Sequence, residues 1–255
     1  SQVDLSLVAA AVEYGRTFGA RAVSLTGDLG PAVDQSRLHE DFPDILITSG
    51  QTSTVAAVAA TWLAGLEALG RRPGDERLLL IGEGPLTQLF HAWIDQLEDG
   101  PGLVTSASSR SLAWSFEPTS VVILGLSLSS EVLARLAPSV VIVTYGGAGP
   151  LEAATIASNS GLPVLEGGSL RSPEFIDDRL YIPDVFVRMD PKVIADVLDV
   201  DRDRITACTL AALLVASDSV SAVRGIASPK DVNAYLRAFR SRRYRADVSP
   251  FEPIT

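Results

Sequence analysis

The stretch from Arg77 to Phe90 reads RLLLIGEGPLTQLF, and its parsing decides the fold. Four apolar residues, Leu78 to Ile81, predict a short strand buried on both faces. They run into Gly82, Glu83, Gly84, Pro85, Leu86 and Thr87, then into helical spacing through Leu89, Trp93 and Leu97. Strand, glycine turn and helix in that order form the context in which such glycines signal a dinucleotide site. Gly82 permits a tight turn, and Gly84 lets the backbone approach a pyrophosphate. The helix N-terminus beyond offers free N–H groups and partial positive charge. Thr87 stands where the usual fingerprint has its third glycine, and is small enough for close helix–strand packing. Pro85 suits the first helical turn, where its missing N–H costs nothing. An ordinary glycine turn in an α/β sheet explains the same letters.

Downstream, Gly102–Ser106, Ser120–Leu124, Val140–Thr144 and Pro163–Leu165 read as further strands, with a helix around Ser130–Leu136. Nearly all-apolar strands alternating with helices predict an α/β fold with a Rossmann-like, doubly wound, mostly parallel sheet. Upstream, Val3–Phe18 reads as an amphipathic helix, Arg21–Leu25 and Asp44–Thr48 as strands, and Val55–Leu69 as a long alanine-rich helix. Gly70–Glu76 is a polar break. Asp190–Leu198 reads as a short helix with an acidic cap, and Ile205–Val215 as a long apolar helix carrying Cys208. The expected organisation is a smaller N-terminal α/β lobe (1–72), a dinucleotide-binding domain (73–188) and C-terminal helices returning to the first lobe (189–255).

At 255 residues the chain can form one large α/β domain or two unequal lobes with real cores. A 47% hydrophobic content and a mean hydropathy of +0.25 exclude a disordered chain. No apolar run reaches the roughly 20 residues of a membrane helix. No signal peptide is visible in Ser1–Ala20, and a chain starting without Met leaves room for an upstream segment. The net charge of −10 argues against nucleic acid as a general partner. It equally opposes nonspecific attraction to an acidic carrier protein, so such docking requires a local basic patch. Arg237, Arg240, Arg242, Arg243 and Arg245 in the tail are a solvated face or that patch. A single cysteine allows no internal disulfide, which agrees with a cytoplasmic location and puts any thiol chemistry on Cys208.

Two further stretches carry candidate sites. Thr48, Ser49, Gly50, Gln51, Thr52, Ser53 and Thr54 set small hydroxyls at a helix start, either as a plain cap or as paired N–H and O–H donors. The strand ending at Ser106 meets the adenine ribose in a dinucleotide fold. No Asp or Glu occurs between Leu103 and Phe116, so Ser106, Ser108, Ser109 and Arg110 favour the 2′-phosphate of NADP, although a surface loop explains them as well. Gly125, Gly146 and Gly147 follow later strands at the edge where cofactors sit.

These landmarks together resemble the long-chain acyl-(acyl-carrier-protein) reductase family, which forms fatty aldehydes. The resemblance is pieced from short motifs between Val12 and Ala216. Thr48–Thr54 resembles the family's TTGNTHTA stretch, and Ile81–Pro85 falls at its glycine-rich cofactor turn. Tyr145, Gly146 and Gly147 resemble its DGGYP loop, and Leu165, Glu166, Gly167 and Gly168 its LNGG loop. Thr206–Leu214 resembles FACFAEAMLLE, whose Cys is the family's acyl-accepting nucleophile. Ser53 stands where the family has His, and Tyr145 where it has Asp. The family's N-terminal acyl-holding region has no counterpart, so the resemblance is to a shortened, diverged relative with a small or polar acyl group, or one delivered by another subunit.

The resemblance implies an NADPH-dependent reductase acting on a carrier-bound acyl thioester through a Cys208 acyl-enzyme. It also implies that the first lobe (1–72) is partly truncated and lies on the substrate side, and that the second domain (73–188) binds NADP. Thr48–Ser53, Gly167 and Gly168 would bind substrate; Gly82, Gly84, Pro85, Leu86, Thr87, Ser106, Ser108, Arg110, Gly125, Gly146 and Gly147 would hold the cofactor. An acyl carrier protein is the implied partner, and a second subunit and a homo-oligomer stay open. Cys208 is expected about a turn and a half into its helix, where a buried, inert core cysteine is the bland alternative. His39, expected in a polar loop, and His91 are the only histidines, and they show no zinc spacing with Cys208. Two rival readings remain. A shikimate-type dehydrogenase needs a lysine in its N-terminal lobe, and none precedes Lys192. A non-catalytic subunit that binds NADP or a partner chain would share the fold without the chemistry.

Overall fold

The computed structural model describes residues 4–26, 29–82, 84–107, 118–124, 140–143, 174–176, 179–182, 186–189, 204–223 and 227–246. The expected helix at Asp190–Leu198, the helix at Ser130–Leu136 and the strand at Pro163–Leu165 lie outside these residues. The chain forms two compact units, Ser1–Ala57 with Phe186–Arg245, and Val58–Val185 with Ala246–Thr255. Its architecture is mixed α/β with short parallel strands.

In the first unit, α1 (Leu5–Thr17) begins where the Asp4 carboxylate accepts the Ser6 N–H at 2.9 Å. Val8 and Val12, four residues apart, turn the same face into the core. β1 (Ala22–Ser24) and β2 (Leu46–Thr48) pair in parallel, with Ser24 opposite Thr48. Two short helices lie between them, α2 (Leu29–Ala32) and α3 (Gln35–Asp41). The sequence predicts a polar loop around His39, and this expectation is corrected. Asp34 accepts the N–H groups of Ser36 and Arg37, and that cap starts α3 and buries Leu38 completely.

The later part of the chain completes this unit. β9 (Phe186–Arg188) pairs antiparallel with β10 (Arg204–Thr206), and β11 (Arg245–Ala246) adds a third strand in the order β10-β9-β11. Directly after β10 comes α6 (Ala207–Ala216), which packs on β1 and β2. α7 (Pro229–Ser241) has Pro229 in its first turn, and the Asp231 carboxylate accepts the Ser228 N–H at 2.8 Å. The expected helix from Ile205 therefore starts two residues late. The β-branched pair Ile205 and Thr206 is spent in strand pairing, and Thr206 sits in extended geometry as the N-cap.

α4 (Gln51–Ala68) starts four residues before the expected Val55 and crosses the division between the units after Ala57. The second unit holds a six-stranded sheet. Its strands are β3 (Arg77–Ile81), β4 (Leu103–Ala107), β5 (Ser120–Ile123), β6 (Val140–Val143), β7 (Glu174–Ile176) and β8 (Arg179–Ile182). Their order is β4-β3-β5-β6-β8-β7, parallel except for β7, which runs antiparallel on β8 at the edge. Leu78, Leu79, Leu80 and Ile81 are all fully buried in the sheet interior. That is the environment their unbroken apolar run requires. α5 (Pro85–Ile94) packs on β3, with the Phe90 and Trp93 rings stacked 5.7 Å apart. No described helix is long and apolar enough to cross a membrane.

One buried charge fixes the N-terminal end of this sheet. Glu76, just before β3, is 0% exposed. It lies 2.8 Å from the Arg71 guanidinium as an ion pair, and accepts hydroxyl protons from Thr119 (2.7 Å) and Ser120 at the start of β5. Thr119 in turn accepts the Arg77 N–H at 2.9 Å. A buried carboxylate so supplied ties β3 to β5. Glu76→Ala strands Arg71 and both hydroxyls and is expected to cost about 3 kcal/mol of stability. The check is a lower urea midpoint with an unchanged slope; a change under about 0.5 kcal/mol would show the cluster does not hold the strands.

Candidate functional site

Within the first unit, the loops at the C-terminal ends of β1 and β2 meet the start of α6. Gly50, which precedes α4, has φ +70°, and a Cβ added there would lie 2.9 Å from both Cα and Cβ of Cys208. Only glycine allows that approach in that backbone conformation. Ser24, at the end of β1, donates its hydroxyl proton to the Cys208 carbonyl at 2.6 Å. The same loop is internally braced. The Thr48 hydroxyl accepts the Gly50 N–H at 3.4 Å, the Ser49 hydroxyl accepts the Gln51 N–H at 3.3 Å, and Thr54 donates to the Gly50 carbonyl at 3.0 Å.

Cys208 is the second residue of α6, not a turn and a half into it, because the helix begins only at Ala207. It is half-buried, and its Sγ lies 3.5 Å from the Thr206 hydroxyl, which also contacts the Thr209 hydroxyl at 2.8 Å. No side chain caps α6. The first-turn N–H groups of α6 and the head of α4 therefore meet at this residue, where helix partial positive charge concentrates. Thr52 and Ser53 lie inside α4 and are buried rather than displayed at its mouth. Behind the Thr48 loop stands Tyr235 of α7, 1% exposed, its hydroxyl near Thr48 but without a hydrogen-bond partner of normal geometry. Burial pushes its phenol from the ordinary 10.0 up to about 12, a nearby Thr48 contact opposes this, and the Asp231 charge adds to it.

In the second unit, β3 ends at Ile81, followed by Gly82, and α5 begins after Gly84. A Cβ on Gly82 would meet the Leu124 carbonyl oxygen and the Thr87 hydroxyl, so this glycine serves internal packing. Gly84 has φ +124° and open space where its Cβ would be, and as N-cap of α5 it offers no side-chain cap. Pro85 takes the first helical position. Leu86 is half-buried, and the Thr87 hydroxyl is buried without a partner. The strand order steps from β4 back past β3 to β5, so the turn lies beside the point where the order reverses. Open α/β sheets bind ligands at such a point. A half-buried Gly84 with open space beside it, an uncapped helix start and a reversal point fit a pyrophosphate, the group NADPH would present. On the same unit, His91 lies 3.7 Å from Asp95 along α5.

The structure thus brings Cys208 together with Gly50 and its neighbours, and assembles Gly82, Gly84, Pro85 and Thr87 separately. Ser106 is placed by backbone pairing opposite Leu80. Ser108, Ser109, Arg110, Gly125, Tyr145, Gly146, Gly147, Gly167 and Gly168 lie outside the described residues. Among the described residues no three His, Cys, Asp or Glu side chains gather as a metal site. Ser24 and Tyr235 are the residues that sequence reasoning misses. A lone serine ending an apolar strand was a usable signal; Tyr235 sits at core spacing on an amphipathic helix and gave none. No protein-family model and no curated protein matches the chain.

This geometry sets two expected outcomes. Gly50→Ala is expected to lose about 2–4 kcal/mol, from both the positive φ and the clash with Cys208, and to change the rate at which iodoacetamide labels the thiol. Unchanged stability and labelling would mean the loop moves away freely. Because the native state holds the Tyr235 proton more tightly than the unfolded chain, stability conferred below pH 10 should fall as pH rises from 10.0 towards about 12. Denaturation between pH 9 and 12 should show a shallower decline for Tyr235→Phe; identical slopes would remove Tyr235 from that titration.

Proposed function

We propose that the chain is an NADPH-dependent reductase that converts a carrier-bound acyl thioester to an aldehyde through an acyl-enzyme on Cys208. The observation that supports this best is the position of Cys208 in the first turn of α6, pressed against Gly50 at the head of α4. The thiolate attacks the thioester carbonyl and expels the carrier thiol, leaving the acyl group on Sγ. First-turn N–H groups of α6 and the hydroxyls of Thr206 and Thr209 are the donors available to the oxyanion formed on attack. Ser24 fixes the Cys208 backbone so that the thiol keeps one position while bonds change.

Gly84, Leu86 and Thr87 would hold the pyrophosphate of NADPH at the α5 start, with Arg110 assigned on sequence grounds to its 2′-phosphate. When bound, NADPH supplies the hydride that takes the acyl group to the aldehyde. The strand order about β3 supports reading the second unit as a Rossmann-like, doubly wound domain. The carrier is an acyl carrier protein or another thioester carrier.

The test is incubation with NADPH and a panel of carrier-bound acyl groups, followed by aldehyde analysis. Cys208→Ala should lower aldehyde formation by at least about 1,000-fold while retaining NADPH binding. An undiminished rate in that variant would exclude the covalent route.

A further inference from the structure

The C-terminal end of α7 concentrates positive charge on a chain whose formal net charge is −10. Arg237, Arg240, Arg242, Arg243 and Arg245 are all exposed. The buried face of α7 carries Val232, Tyr235, Leu236 and Phe239, so Arg237 and Arg240 project from the opposite side. Among the described residues, Arg237, Arg240, Arg243 and Arg245 make no ion pair. Arg242 is held in place, but by neutral acceptors: it donates to the Ser219 hydroxyl at 2.7 and 3.1 Å and to the Ser217 carbonyl at 3.5 Å. The nearby Asp218 faces Arg21 instead, at 3.7 Å.

Helix-end stability accounts for part of this cluster only. Cations in a last turn oppose the helix partial negative charge, which suits Arg240 and Arg242. Arg243 is different. It occupies the left-handed position after the helix, φ +59°, where the Tyr244 N–H returns to the Phe239 carbonyl at 2.8 Å and the Arg243 N–H to the Arg240 carbonyl at 3.1 Å. Glycine is the residue that this closing geometry favours. An arginine there, beside further uncompensated charges, matches a surface kept basic for recognition.

From this charge distribution we infer that the C-terminal end of α7 is the docking surface for an acidic protein, the one that carries the acyl thioester. This rests on the function proposed above and adds the surface that recognises the partner. A chain of net charge −10 repels an acidic protein on average. Five arginines within residues 237–245 form a local exception that steers such a partner to one place. α7 also carries Tyr235 behind the Thr48 loop, so the charged helix is part of the unit that holds Cys208.

The full chain is tested for binding to an acidic holo-acyl carrier protein by fluorescence anisotropy. The variants are R237E/R240E/R243E, the milder R237Q/R240Q/R243Q, and R37E as a single charge-reversal control at an exposed position of α3. Wild type should bind, and weaken about 10-fold between 50 and 300 mM salt. The Glu set should lose at least about 10-fold and the Gln set an intermediate amount, with R37E near wild type. Acylation of Cys208 by a small soluble thioester should be unchanged in every variant, which reports intact folding. Carrier binding that is absent in wild type, indifferent to salt, or equal in the arginine variants overturns the inference. So does equal or tighter arginine-dependent binding of a DNA duplex or an anionic vesicle. If the carrier binds through these arginines but no thioester acylates Cys208, the docking surface stands and the reductase reading falls.

Discussion

The close approach of the Gly50 backbone to Cys208 is the constraint on which the first unit depends. With a Cβ position 2.9 Å from Cys208, the two helix starts can meet only if residue 50 lacks a side chain and tolerates a positive φ. The parallel pairing of β1 with β2 delivers both partners to one edge, since Ser24 ends one strand and Thr48 the other. Ser24 then holds the Cys208 carbonyl, and Thr48 holds the Gly50 N–H. Hydroxyls perform this bracing because they both accept and donate within one short loop. A thiol placed so is partly accessible, with the Thr206 hydroxyl 3.5 Å from its Sγ.

The second unit solves a different problem. Its strand β3, flanked by β4 and β5, is apolar on both faces and its N-terminal end is pinned by a buried carboxylate, which leaves the opposite end free to lead into the glycines. There the two glycines divide the labour. Gly82 disappears into packing with Leu124 and Thr87, and Gly84 leaves its backbone open at an uncapped helix start. The strand order reverses beside this second arrangement.

Legibility in the sequence tracked the strength of the local pattern. The run Leu78–Ile81, too apolar for a half-exposed strand, located a strand buried inside the sheet, and Pro85 marked the first turn of α5. Boundaries set by competition were harder. Ile205 and Thr206 stand at helical spacing from Thr209 and Leu210, yet pairing with β9 drew them into a strand and moved Cys208 into the first helical turn. α3 hid in a polar stretch because one buried leucine and an Asp34 cap suffice to form it. The β7–β8 hairpin carried a signal that could have been used: EFI and RLYI flank Asp177 and Asp178, a turn-prone pair between two strand-prone runs.

By itself the sequence determined the α/β class, the strand–glycine–helix unit at residues 77–94, and the uniqueness of the Cys208 thiol, because each is written in contiguous residues or in composition. Tertiary structure alone decided which glycine touches Cys208, that Ser24 bonds its carbonyl across 184 positions, and that Tyr235 backs the Thr48 loop. Contacts between residues so far apart depend on how parallel strands and late helices come together, and no local periodicity encodes that.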